Sequence, residues 1–115
     1  KMAGAAADNV YVSSMWSADR KDEKVQKFVE SYTKAYGRAP DQFAASAYDG
    51  VYMAMDAMQR AGTTTDHKKI RDALAQMKNF KGVCGTFSFD EKRDPVVDLI
   101  LMKMQDGKFG VVDVK

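Results

Sequence analysis

The sequence predicts an α/β fold, and three observations carry that prediction. A β-branched and aromatic run lies near the start, at 10–15. Three stretches with apolar residues three and four apart fill the middle. After Asn79 the apolar period drops towards two and the chain runs into a hairpin signal at Asp106-Gly107. The predicted order is β-α-α-α-β-β-β.

The first strand follows the small-residue stretch Ala3-Gly4-Ala5-Ala6-Ala7 and uses Val10, Tyr11 and Val12, residue types that suit a pleated, half-buried surface. From Trp16 to Lys21 periodicity is lost, as in a connection. From Asp22 a helix is expected: Val25, Phe28, Val29, Tyr32 and Tyr36 form one apolar stripe, with Lys24, Lys27, Glu30 and Lys34 outside it. Gly37 and Pro40 then stop it. A second helix is expected over 41–61, with Asp41 at its start and Gly62 at its end. Its main stripe is Ala44, Ala47, Tyr48, Val51, Ala54, Met55, Met58 and Ala61, and Tyr52, Met53 and Ala57 extend apolar character to the other faces, so burial on most sides is expected. Thr63-Thr64-Thr65-Asp66 starts a third helix, whose stripe is Ile70, Ala73, Leu74 and Met77.

Gly82 and Gly85, three apart, then mark a tight bend or a close backbone approach. Thr86-Phe87-Ser88-Phe89 alternates as a short strand, 90–95 is a charged turn, 96–104 reads as one mostly buried strand, and Asp106-Gly107 turns it into a last strand over 109–114.

Composition narrows the function classes. The chain has 115 residues, is 45% hydrophobic and 30% charged, and is therefore too apolar for a disordered segment. A net charge of +2 lacks the basic excess of an electrostatic nucleic-acid binder, so no nucleic-acid partner is expected. The unbroken apolar runs, such as Leu99-Ile100-Leu101-Met102, are far too short to span a bilayer. A single cysteine excludes an internal disulfide and a cysteine-based zinc site. The chain opens on Lys1 with no signal-like segment, as a mature secreted protein or a piece of a longer chain would.

No catalytic constellation emerges. His67, the one histidine, lies in a polar helix start and reads as a solvated residue. Cys84 sits between glycines in an apolar stretch and reads as a buried, inert thiol. Gly82 and Gly85 precede a strand, not a helix, so they do not form a phosphate loop. Asp90, Glu91 and Asp94 lack the spacing of a calcium loop and are interrupted by Lys92 and Arg93. Met53, Met55 and Met58 read as core filler. No metal and no cofactor is expected. Two places remain of interest. Trp16 stands at the end of the first strand, where α/β proteins place ligand contacts, although an aromatic closing the core edge reads equally well. Asp49, beside Tyr48 in an apolar helix, needs a helix dipole, a backbone donor or a cation as partner.

The ordered motifs resemble a known family. Phe28-x-x-x-Tyr32-x-x-x-Tyr36-Gly37-x-x-Pro40, Ala47-Tyr48-Asp49-Gly50-Val51, Ala61-Gly62, Ile70-Arg71-Asp72-Ala73-Leu74, Phe80-x-Gly82-Val83-x-Gly85-x-x-x-Phe89-Asp90 and Asp106-Gly107-Lys108 follow one another across the whole chain. This order resembles the C-terminal part of type I periplasmic solute-binding proteins, in particular the leucine/isoleucine/valine-binding family of ABC importers. The ligand-binding domains of metabotropic glutamate-type receptors share the segment, including a run like Phe89-Asp90-Glu91-Lys92. The resemblance implies part of a two-lobed clamshell, with 1–18 a second-lobe strand and hinge crossing, 19–86 first-lobe helices, and 87–115 a hinge return and second-lobe hairpin.

It further implies a non-enzymatic module for a small amino-acid-like or aromatic acid solute. The partner would be a membrane ABC permease, and the location periplasmic or extracellular, with a lipid anchor compatible. Trp16, Tyr48, Asp49 and Lys92 are the ligand-binding candidates, while most of the solute clamp would lie in chain beyond this sequence. The first-lobe helices would then lack most of their sheet, leaving Tyr48, Val51, Met55, Met58 and Leu74 facing water. Self-association, exchange of elements, or pairing with a missing portion of chain is the expected remedy. Two other readings remain: the extracellular sensing domain of a receptor, and a ligand-free α/β interaction domain.

Overall fold

The computed structural model describes residues 3–112. After a 3₁₀ turn at Gly4–Ala7, the elements are β1 (Tyr11–Ser14), α1 (Glu23–Tyr36), α2 (Gln42–Ala61), α3 (His67–Ala75), β2 (Phe80–Lys81), β3 (Thr86–Phe89), β4 (Pro95–Val96), β5 (Ile100–Gln105) and β6 (Lys108–Val111). The described residues form two compact units, one from residues 3–41 with 99–112 and one from 42–98.

In the first unit β1, β5 and β6 make an antiparallel sheet in the order β1-β5-β6, with Val12 opposite Met102 and Met102 opposite Val111. The β5–β6 hairpin turns at Asp106 and Gly107, both with positive φ (50° and 74°). That backbone suits the right-handed twist of the strands it joins, which is why Asp-Gly was a readable signal. The last-strand expectation at 113–114 falls outside the described residues. Helix α1 begins where the Asp22 side chain accepts from the Lys24 and Val25 N–H groups, and ends at Gly37, whose left-handed φ of 70° lets its N–H donate to Thr33 O at 2.8 Å. Val25 and Phe28 are buried; Tyr36, at the end of the predicted stripe, is exposed.

In the second unit α2 packs on α3, and β2, β3 and β4 form a small antiparallel sheet with Phe80 opposite Phe87 and Phe89 opposite Pro95. Asp66 caps α3 by accepting from the Lys69 N–H at 3.1 Å. Ala45, Ala57, Ile70, Met77, Val83, Cys84 and Phe87 are its buried apolar residues together with Met53.

Two expectations need correction. The buried face of α2 is Ala45, Asp49, Met53 and Ala57, a strict four-residue repeat, whereas Val51 and Met55 of the predicted stripe are 59% and 57% exposed. Periodicity found an apolar helix, but with apolar residues on several faces it could not say which face this chain covers. The predicted strand over 96–104 is also divided. Pro95 and Val96 pair with β3, and the ladder resumes at Ile100 with β1. The interruption falls where the chain leaves one compact unit and re-enters the other, between residues 98 and 99.

Candidate functional site

The most organised polar site in the second unit is built on Asp49. Its carboxylate, 2% exposed, accepts from the Val83 N–H through Oδ1 at 2.7 Å and from the Cys84 N–H through Oδ2 at 2.8 Å. A helix-borne acid thus acts as the acceptor pair for two buried main-chain donors of the loop before β3. The loop closes on itself through the Gly82 N–H, which donates to Gly85 O at 2.8 Å. Gly82 is required by space. A Cβ there would stand 2.7 Å from Asp49 Oδ1, 2.5 Å from its Cγ, and closer still to Oδ2. Gly85 is required by conformation, with φ at 136°. Ser46 Oγ lies 3.9 Å from the Cys84 sulfur, and the thiol is fully buried.

Tyr48 precedes Asp49 on α2 and is half-buried, its ring 4.8 Å from that of Tyr52 at 47°. A hydrogen bond to Tyr52, then desolvation, then the charge of Tyr52 and that of Asp49 push the Tyr48 phenol up to about 12. A tyrosine whose folded pKa lies above its unfolded value of about 10 keeps its proton longer in the folded chain. Its contribution is therefore complete below pH 10 and lost as the pH climbs from about 10 to about 12. Denaturant midpoints are expected to fall over that window in the wild type and to fall less in Tyr48→Phe; equal slopes in the two proteins would contradict the assignment.

Trp16 belongs to the first unit. It is 5% exposed, with its ring edge-on to Phe28 at 5.6 Å between centroids. Ser14 holds the main chain there, Oγ accepting from the Trp16 N–H at 3.1 Å and donating to Trp16 O at 2.9 Å. Lys92 is exposed in the β3–β4 turn, where its N–H donates to Asp90 Oδ1 at 2.8 Å. Of the four ligand-binding candidates, Tyr48 and Asp49 are neighbours on one helix, Lys92 lies in a turn of the same unit, and Trp16 is in the other unit. The Asp49 partner was one of the alternatives raised from sequence, a backbone donor. That the donors are the N–H groups of Val83 and Cys84 is not legible from the sequence, where the one signal is a buried-helix acid together with a glycine pair that needs a reason. Among the described residues no group of three or more His, Cys, Asp or Glu is placed to hold a metal ion, and no helix is long and apolar enough to cross a membrane.

Comparison with known proteins gives a consistent result. The profile of a periplasmic binding protein family matches residues 1–108. The chain is 27% identical over 117 aligned positions to Leu/Ile/Val-binding protein homolog 1 of Brucella abortus, an alignment that takes in 97% of this chain and 31% of that protein. Its backbone is similar to that of an ABC transporter substrate-binding protein of Desulfitobacterium hafniense in complex with Leu, at TM-score 0.83 and 30% identity over 92% of this chain and 32% of that one. It is also similar to a solute-binding protein of an ABC transporter from R. palustris in complex with benzoate, at TM-score 0.80 and 25% identity over 96% and 31%. The chain spans about a third of the length of the relatives it matches.

Proposed function

Because this chain belongs to the periplasmic binding protein family, we propose that it contributes about a third of the solute-binding component of an ABC importer, whose solute is a small amino acid or aromatic acid held between two lobes. The observation that carries this reading is the agreement in backbone, over nearly the whole chain, with proteins whose solutes are leucine and benzoate. Closure about the hinge would trap the solute and present the closed form to a membrane permease, on the periplasmic or extracellular side.

The lobe assignment belongs to the proposal: the strand at 10–14 and the final hairpin in the second lobe, α2 and α3 in the first, with 87–90 as the return crossing; α1, expected with the first-lobe helices of 19–86, falls in the compact unit of β1, β5 and β6 and is assigned here to the second lobe. On this reading the half-buried Tyr48 and the exposed Lys92 contact the solute directly. Trp16 and Asp49, both buried, are positioning residues, Trp16 at the end of β1 and Asp49 through the loop that leads into β3. The apolar α2 face at Val51, Tyr52 and Met55 would be covered by the part of the lobe that this chain does not span, and the isolated chain is expected to self-associate through it.

Two measurements test the reading. Residues 3–112, exchanged for the corresponding third of the Desulfitobacterium hafniense protein, should give a folded chimera that binds leucine or benzoate with an affinity within about tenfold of the parent's for leucine; a folded chimera that binds neither would overturn the reading. Light scattering on the isolated chain across a dilution series should report a dimer or larger species. A compact monomer at every concentration would remove the uncovered-face argument.

A further inference from the structure

We propose that a small cavity of the second unit, between the C-terminal half of α3 and the β3–β4 turn, anchors an acidic protein segment that carries one large apolar side chain. The cavity measures about 210 Å³ and is lined by Leu74, Ala75 and Phe89, with Arg71 and Arg93 completing its wall. Small-molecule pockets generally run from about 300 to 1,000 Å³. This one instead has the size of a single leucine or phenylalanine side chain, the scale of an anchor pocket at a protein interface.

Its walls are held in place. The Phe89 N–H donates to Met77 O at 3.2 Å, and Lys78 Nζ donates to Phe89 O at 2.5 Å, so β3 is tied to the chain just beyond α3. The turn that carries Arg93 is organised by Asp90, whose carboxylate accepts from the Lys92 and Asp94 N–H groups at 2.8 and 2.9 Å, while the Arg93 N–H donates to Asp90 O at 3.1 Å. Arg93 itself sits in the left-handed region at φ 70°.

The charge at the cavity selects the partner. Among the described residues the Arg93 guanidinium has neither a hydrogen bond nor an ion pair. Arg71 gives Nε and Nη2 to one oxygen of Asp72, at 2.8 and 2.5 Å, which leaves Nη1 free to donate. Asp90 is occupied by its own turn, and Glu91 and Asp94 of that turn do not line the cavity. One unengaged guanidinium fork, that of Arg93, and the remaining Nη1 of Arg71 beside an apolar hole therefore fit a carboxylate adjacent to an apolar side chain, because arginine pairs with carboxylates in a directed, two-point manner. A free amino acid would bring its ammonium group to the same two cations. This site is thus distinct in its chemistry from an amino-acid solute site, and it does not rest on the solute-binding reading.

The test is an amide NMR titration of the full chain with the blocked peptide acetyl-Glu-Asp-Leu-Asp-Glu-amide, alongside a version with serine for leucine, a version with glutamine for every acid, and isovalerate alone. Saturable shifts at Leu74, Ala75, Phe89 and Arg93, with both peptide replacements weakening binding about tenfold or more, are expected. Arg93→Gln, an exposed substitution that keeps the turn, should weaken the peptide by a similar factor. Absence of saturation at millimolar peptide, or an affinity indifferent to Arg93→Gln, would overturn the proposal. Isovalerate binding as tightly as the peptide would also overturn it, by making the cavity a site for small free carboxylates.

Discussion

Asp49→Ala is expected to destabilise the second unit by about 3–4 kcal/mol, read as a fall in the urea midpoint by circular dichroism with little change in slope. The reason is the accounting of buried donors. The Val83 and Cys84 N–H groups belong to residues with no exposed surface, and both end on the Asp49 carboxylate. Removing the carboxylate strands two donors away from water, and each stranded donor costs about 1–3 kcal/mol. Asp49→Asn separates acceptor loss from cavity formation, since the amide fills the same space. It keeps one carbonyl oxygen but turns an NH₂ towards the second donor, so a loss of about 2 kcal/mol is expected. A loss below about 1 kcal/mol for Asp49→Ala would mean that water or a rearranged loop satisfies the two donors as well as the carboxylate does.

The second large effect is Gly82→Ala, for which a loss of about 2–4 kcal/mol is expected, in the range of other strained or overpacked core substitutions. The added methyl group would lie within 2.7 Å of Asp49 Oδ1, far inside contact distance, and neither partner can retreat cheaply. The carboxylate is held by two hydrogen bonds, and the Gly82 main chain is held by its bond to Gly85 O. Because the clash and the hydrogen bonds share one side chain, the two substitutions should not add. In Asp49→Ala the space beside residue 82 is open, so Gly82→Ala should cost under about 1 kcal/mol in that background, a coupling measurable by a double-mutant cycle. Full additivity would show that Gly82 is needed for a reason other than the approach of Asp49.

The accuracy of the sequence reading follows the range of the interactions concerned. Helix α1 was legible end to end, because its stripe and its Gly37 stop act within a few residues. The β5–β6 hairpin was legible from Asp106-Gly107 for the same reason. The covered face of α2, Ala45, Asp49, Met53 and Ala57, was not, since Val51 and Met55 are as apolar as Met53 by sequence; that Val51 and Met55 face water followed only from the family resemblance, which places most of their sheet outside this chain. The break within 96–104 was equally hidden, because residues on either side pair with different strands, β3 before it and β1 after it. At the candidate site, the need of Asp49 for a partner could be read from a charge in an apolar helix; its two donors, 34 and 35 residues away, could not.

From sequence alone came the α/β class, the three helices and their ends, the hairpin, the buried thiol and, through an ordered set of motifs, the family. These depend on local backbone preference and on short-range periodicity, which a linear chain carries in full. Tertiary structure alone decided that the Asp49 carboxylate closes the 82–84 loop, that Gly82 is needed for clearance and not for a turn, and that Leu74, Phe89, Arg71 and Arg93 surround one cavity. Each of those results joins residues from different elements, and the free energy that selects such a pairing comes from desolvation and packing, which exist only once the elements have met.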